Sequence, residues 1–290
     1  MVGIYNLEPK YKNLALEKIK KYYIDMGELV EDYFELNYNK YEKIYCSSIF
    51  DFTPKKYVRP NMICGGSGFD LTTELPKEIE QVKPRLNFGF TTRGCFRKCP
   101  FCIVPQKEGR LKIVGDIYDI WDTKSKDIIL MDNNILGLPE HFRVICSQIK
   151  KEKLRVDFNQ GLDIRLLNDE NVKLLSEIRH KEYHLAFDNV EDENKIIKGI
   201  ELLKKYGIKR SIFYLLVGYN TTYKQDIYRA ELLKSLNQNG YIQRYNHCSD
   251  KFYIELTGWV NNHRFFQSIT FETFLKYRGS WELFAKWQLY

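Results

Sequence analysis

Histidine is scarce in this 290-residue chain: there are five, and none precedes His141. Long uncharged apolar runs are missing, and the opening MVGIYNLEPK has no signal-peptide core. The expectation is therefore a cytoplasmic protein with no membrane partner. Cysteine is limited to seven, an odd number unevenly spaced, which argues against a secreted disulfide framework. His180, His184, His247 and His263 hold no ligand spacing with one another or with the cysteines. They read as surface or core residues, which removes most histidine-built metal sites.

What is present describes a globular protein: 44% hydrophobic and 15% aromatic residues suffice for a sizeable core. The net charge of +7 is unevenly placed. Residues 1–83 hold 12 Lys+Arg against 13 Asp+Glu, and residues 84–290 hold 33 against 25. The excess gathers where Arg93, Arg97, Lys98, Lys107, Arg110 and Lys112 face only Glu108. That surface suits solvent, an acidic electron donor or an anionic substrate.

Hydrophobic spacing divides the chain in three. Residues 1–83 read as a small α/β unit, a shortened Rossmann-like one: a strand at VGIYNL, a helix over Asn13–Met26, and strands at KIYCSSIF and NMICGG. The Gly65-Gly66-Ser67-Gly68 loop reads first as a plain turn. Residues 84–245 follow a regular period: LNFGFTT is a strand, and later strands centre on Ile128, Val156, Leu185, Phe213 and Ile242. Those centres lie 28 or 29 residues apart, the length of one strand plus one crossover helix. Asn168, Asp192 and Thr222 stand where the helices would start. Six such units predict an α/β fold, a partial (β/α)6 TIM-like barrel. Residues 246–290 read as an aromatic-rich helical extension, with a final helix in FETFLKYRGSWELFAKWQLY closing the barrel's open side.

The chemistry concentrates in TTRGCFRKCPFCIVPQKEG, residues 91–109, where Cys95, Cys99 and Cys102 form C-x3-C-x2-C. Such spacing brings three thiolates together on one tight loop, as an iron–sulfur cluster requires. A closed zinc site would ask for a fourth ligand at similar spacing, and none is near. Cys46, Cys64, Cys146 and Cys248 are scattered, and core packing is the ordinary role for each.

C-x3-C-x2-C with Phe101 just before the last cysteine, at the end of the first strand of the periodic array, resembles the radical S-adenosylmethionine superfamily. The wider string RGCFRKCPFCIVP is most similar to the branch with methylthiotransferases and cobalamin-associated radical enzymes. The resemblance implies a 4Fe–4S cluster on Cys95, Cys99 and Cys102, with one iron left open to S-adenosylmethionine. It implies reductive cleavage of that molecule to a 5′-deoxyadenosyl radical, which takes a hydrogen from a substrate. It also implies an electron donor such as flavodoxin or ferredoxin. The substrate itself stays open among a nucleic-acid base, a peptide and a small metabolite.

Barrel sites lie at the carboxyl ends of strands, so the resemblance also nominates the pocket lining. Asp132, Asn133 and Asn134 follow the second strand, where the family contacts the cofactor's amino group, although the usual Gly-Gly-Glu is absent. Asn159 and Gln160 follow the third, with Arg165 as a bidentate partner for the cofactor carboxylate. Asp188 and Asn189 follow the fourth. Gly218 follows the fifth, where adenine would lie on backbone, with Phe101, Ile103 and Val104 as neighbours. Cys248 is the nominated late catalytic thiol. Two branch-specific readings are weakened: only Cys46 and Cys64 precede residue 84, too few for a second three-cysteine cluster, and no early histidine exists to ligate cobalamin. A non-catalytic iron–sulfur electron carrier, a zinc-bound nucleic-acid or interaction module, and a methyl- or methylthiotransferase-like RNA-modifying enzyme remain alternatives.

Overall fold

Alternating apolar residues Val2 and Ile4 in the first strand set the leading unit. In the computed structural model, which describes residues 1–284, β1 (Val2–Asn6) buries Val2 and Ile4 on one face. That face meets Leu16, Ile19 and Tyr23 of α1 (Leu14–Asp25), a helix begun by Asn13, whose side chain accepts from Leu16 N at 3.2 Å. β2 (Val30–Asp32), β3 (Lys43–Ser47) and β4 (Ile63–Gly65) complete a wholly parallel sheet of order β2-β1-β3-β4. The opposite face packs Ile44, Cys46 and Met62. A short helix, α2 (Lys77–Glu80), returns Ile79 to the first core. The polar stretch between Pro76 and Pro84 thus contributes a buried anchor.

Gly66 and Gly68 have a packing explanation. Gly66 has φ +94°, and a Cβ on it would sit 2.4 Å from Ser48 O. One on Gly68 would sit 2.3 Å from Ser48 Oγ and 2.4 Å from Phe50 O. The loop is glycine-rich because it lies directly on the chain's own residues 47–50.

The next strand, β5 (Phe88–Gly89), runs into a hairpin, β6 (Thr92–Arg93) and β7 (Lys112–Ile113), whose antiparallel pairing closes the base of the cysteine loop. Inside that loop lies α3 (Val104–Glu108), and α4 (Ile117–Ile120) follows it. Then come β8 (Asp127–Leu130), α5 (Pro139–Glu152), β9 (Arg155–Phe158) and α6 (Asp169–Glu177). The fourth strand is split into β10 (Arg179–His180) and β11 (His184–Ala186), the first pairing with β9 and the second with the strand after it. α7 (Glu193–Lys205), β12 (Ile212–Val217), α8 (Tyr223–Ser235) and β13 (Asn239–Arg244) end the series. The result is two all-parallel sheets, β10-β9-β8-β5 and β11-β12-β13, linked by a parallel bridge from Leu162 to Leu185. The five expected strand centres all fall within strands.

One face of this array is packed and the other is not. Ile128, Leu130, Val156, Phe158, Leu185, Phe213, Leu215, Val217 and Ile242 are buried with the apolar stripes of α5 to α8 in a single large core. The alternate residues Ile129, His184, Ala186, Tyr214, Leu216, Tyr241 and Gln243 retain exposure. A fully buried ion pair, Asp226–Arg229 of α8, ties the strand ends together: Arg229 donates to Phe187 O and to Leu216 O (2.7 Å) as well as to Asp226.

The chain then turns through α9 (Lys251–Val260), α10 (His263–Ser268) and α11 (Phe271–Tyr277), capped by Asp250, Asn262 and Thr270. Their Leu256, Trp259, Phe266 and Phe274 join the main core beside β13. The expected long final helix is interrupted: Gly279 takes φ +67° immediately after Arg278. Residues 285–290 of that expected helix lie outside the described residues. Among the described residues no helix is long and apolar enough to cross a membrane.

Candidate functional site

The hairpin makes the cysteine loop a rigid stem. Gly94 has φ +82°, and a Cβ there would lie 2.4 Å from Arg110 O, so only glycine lets the two arms approach. Cys95 N donates to Gly109 O (3.2 Å) and Cys102 N to Cys99 O (3.0 Å), which folds three half-buried, free thiols onto one turn. Cys95 Sγ already receives Arg97 N at 3.3 Å and Asn134 Nδ2 at 3.6 Å. Burial pushes the Cys99 and Cys102 thiols up, opposed at Cys99 by Arg165 and at Cys102 by a backbone hydrogen bond from Val104. No three His, Cys, Asp or Glu side chains among the described residues converge tightly enough to share one metal ion. The loop is thus no preformed single-ion cage. Three thiols with N–H donors aimed at sulfur fit a multi-iron cluster, whose hydrogen bonds tune it.

Two carboxylates not singled out in the sequence organise the surroundings. Glu108 accepts from Arg93 (3.2 Å), Gly94 N (3.0 Å) and Asn133 Nδ2 (2.7 Å), and so links α3, the stem and the end of β8. Asp163 accepts from Arg97 Nε (2.9 Å), from the Arg165 fork (2.7 and 3.1 Å) and from Asn134 Nδ2 (3.5 Å). Burial raises the Asp163 carboxyl, but the Arg165 and Arg97 guanidiniums outweigh it and hold the group below the ordinary carboxylate range. Apart from the Asp163–Arg165 fork, two residues apart, these contacts span 14 to 66 residues, so no local spacing signalled them.

Several expected residues do meet at this end of the array. Asp188 is near enough to Cys99 and Cys102 to influence both thiols; its Oδ1 accepts from Leu216 N (2.9 Å), and burial raises its carboxyl. Phe101 packs edge-on against Tyr219 (5.7 Å between centroids), which packs on Tyr245 (4.8 Å). Gly218 has φ +75°, and a Cβ there would lie 3.4 Å from Cys248 Cβ and 3.3 Å from Tyr253. Cys248 is thereby placed beside the strand end. Ile103 is exposed and Val104 half-buried. Asn134 contributes an unusual feature: its Oδ1 is buried with no hydrogen-bond partner.

Other expectations are corrected. Asp132 is 4% exposed, and its carboxylate accepts from the amides and hydroxyls of Thr91 and Thr92. It braces the loop from below instead of facing a ligand. The Arg165 fork is occupied by Asp163, and its remaining Nη1 reaches Asp192 at 3.4 Å, so it is not free for a second carboxylate. Asn159 offers its backbone oxygen to Tyr214 OH (2.8 Å), and Gln160 is exposed beside Met131 Sδ (3.9 Å). Asn189 caps the turn before α7 through Glu191 N (3.1 Å).

No family model matches the chain. Over 86 residues it is 35% identical to a tRNA-2-methylthio-N(6)-dimethylallyladenosine synthase of Flavobacterium johnsoniae, and equally to the synthase of Flavobacterium psychrophilum. Each match covers 25% of this chain and 18% of the relative, so the chain spans under a fifth of those proteins. In fold it is similar to the radical S-adenosylmethionine methyltransferase TsrM from Kitasatospora setae, solved with cobalamin and a 4Fe–4S cluster bound. There the TM-score is 0.61 at 12% identity, over 84% of this chain and 74% of that one. The sequence match thus covers a quarter of this chain, and the structural match is one of fold.

Proposed function

We propose that this chain is a radical S-adenosylmethionine enzyme. Cys95, Cys99 and Cys102 would hold a 4Fe–4S cluster with one iron open, and the six parallel strand positions would form the partial barrel around its reaction space. The observation that carries the reading is one loop with three half-buried thiols, closed by a hairpin, beside the carboxyl ends of parallel strands whose other face stays open. When bound, the cluster supplies the electron that cleaves S-adenosylmethionine for hydrogen abstraction from a substrate.

The chain's own residues divide the remaining work. Asn134 Oδ1, the unpartnered acceptor beside Cys95, suits the cofactor's amino group. Asp163 and Arg97 fix the loop's position, and Asp132 and Glu108 hold its base. Phe101, Ile103, Val104 and Gly218 supply an apolar and backbone surface for adenine. The basic surface of Lys98, Arg110 and Lys112 suits an acidic electron donor such as flavodoxin or ferredoxin. Residues 1–83 would flank the entrance, since Lys107 of the loop donates to Ser67 of the leading unit.

Methyl or methylthio transfer is the second reading, favoured by the names of the relatives. The glycine loop of the leading sheet lies on the chain's own residues 47–50. The test is incubation of anaerobic protein with dithionite and S-adenosylmethionine. Formation of 5′-deoxyadenosine is expected; its absence from cluster-loaded protein would favour a non-catalytic electron carrier.

A further inference from the structure

On the open face of the strands lies a polar cluster that the proposed chemistry leaves unused. Asp157 of β9 is 7% exposed, and its Oδ1 has no hydrogen-bond partner. Facing it at 3.6 Å is His184 Nδ1, buried and equally without one. Lys181 Nζ lies 3.3 Å from the other carboxylate oxygen. The His184 imidazole is parallel to the Tyr214 ring within 2°, with centroids 5.3 Å apart. Tyr214 is itself fixed by its hydroxyl on Asn159 O and by the edge of Tyr241 at 5.9 Å, and Tyr241 is 44% exposed.

Between these groups the sequence places almost nothing. His184, Ala186 and Asp188 alternate onto the open face, and Ala186, registered with Tyr214, is exposed. Residues two apart on a strand stand about 6.6 Å from each other. With only an alanine methyl between His184 and Asp188, and Tyr214 and Tyr241 registered beside it, this face can form a slot.

We infer that this slot is the substrate site and takes a neutral, planar nitrogen heteroaromatic ring, packed on Tyr214 and Tyr241 and read at its polar edge by His184. An apolar ring would leave the imidazole unpaired, and an anion would meet the Asp157 carboxylate, to which Lys181 is already paired. Asp157 is a positioning residue. Its carboxylate oxygen, 3.6 Å from Nδ1, sets the position of the imidazole, whose Nε2 would accept from a ring N–H. The inference rests on the radical-enzyme reading only for what happens to the ring after it binds.

The test uses the full chain, with adenine as probe and benzyl alcohol as a ring without a nitrogen edge. Saturation-transfer NMR and calorimetry should show saturable adenine binding, at least tenfold tighter than benzyl alcohol. Ala186→Leu, which fills the slot at an exposed position, should weaken adenine at least tenfold. His184→Phe keeps the stack and should lose about tenfold, the value of one hydrogen bond. Adenine should shift the His184 imidazole ¹⁵N resonances, and Asp157→Asn should redistribute the proton between Nδ1 and Nε2 with the circular dichroism unchanged, a signature that mere destabilisation does not produce. No adenine binding, equal binding by Ala186→Leu, or indifference to His184→Phe would each overturn the inference. The two readings fail separately. Adenine binding that Ala186→Leu abolishes, without 5′-deoxyadenosine formation, upholds the slot and sinks the enzyme, whereas cleavage without such binding does the reverse.

Discussion

Arg229→Leu removes the cation that ties three elements together behind the site. Arg229 and Asp226 are both completely buried, and the guanidinium serves Asp226 and the carbonyls of Phe187 and Leu216. Those carbonyls flank Asp188 and lead into Gly218, so the pair fixes the ends of the fourth and fifth strands. Breaking a buried pair by deleting one partner costs about 3–5 kcal/mol, because the remaining charge is stranded. Asp226 limits the loss by taking up a proton, since burial already pushes its carboxyl up against the pull of Arg229. A deficit of about 4 kcal/mol follows, which at about 2–4 °C per kcal/mol lowers Tm by roughly 10 °C. The sign with pH is fixed by the same group. A carboxyl whose folded pKa is raised contributes most below its unfolded value and loses that contribution as pH rises through the folded one. The variant should therefore be closest to the parent near pH 4 and fall away toward pH 7, by urea denaturation at each pH. The double variant Asp226→Leu/Arg229→Leu should recover most of the loss. A single variant within about 1 kcal/mol of the parent, or a double variant no better than the single, would refute the stranded-charge reasoning.

Asp163→Ala should release Arg97, Arg165 and Asn134 together, with faster amide hydrogen exchange across residues 95–102 and unchanged exchange in β1 and β3; uniform protection would show that the loop does not depend on this carboxylate. Gly218→Ala asks a side chain to adopt φ +75° within 3.4 Å of Cys248, and should cost about 1–2 kcal/mol by denaturation, with no loss if the turn relaxes freely. Asn134→Leu preserves size but deletes the orphan acceptor, so it should weaken S-adenosylmethionine binding about tenfold while retaining cluster absorbance; unchanged affinity would move the amino-group contact elsewhere.

The regular parts of the fold were legible because they are local. Strand centres at 28- and 29-residue intervals and the caps at Asn168 and Thr222, each of which forms a reciprocal capping box, need only periodicity and one hydrogen-bonding side chain. β2 is three half-exposed residues with no apolar run, and the β6–β7 stem pairs residues across the cysteine loop, so neither shows a pattern. The split at Lys181–Glu182 is hidden inside what reads as one strand. For the site, the cysteine spacing was explicit, whereas the engagement of Asp132 by Thr91 and Thr92 and of Arg165 by Asp163 depends on who lies opposite whom. Sequence spacing places residues at strand ends and carries no information on which polar groups there are already paired.

The most direct test is electron paramagnetic resonance, with iron and sulfide analysis, of oxygen-free protein and its Cys99→Ala variant. The account predicts about four irons per chain, a reduced-cluster signal that changes when S-adenosylmethionine is added, and loss of both in the variant with the fold retained. A signal indifferent to S-adenosylmethionine, a fourth protein ligand on the cluster, or full iron content without Cys99 would contradict it.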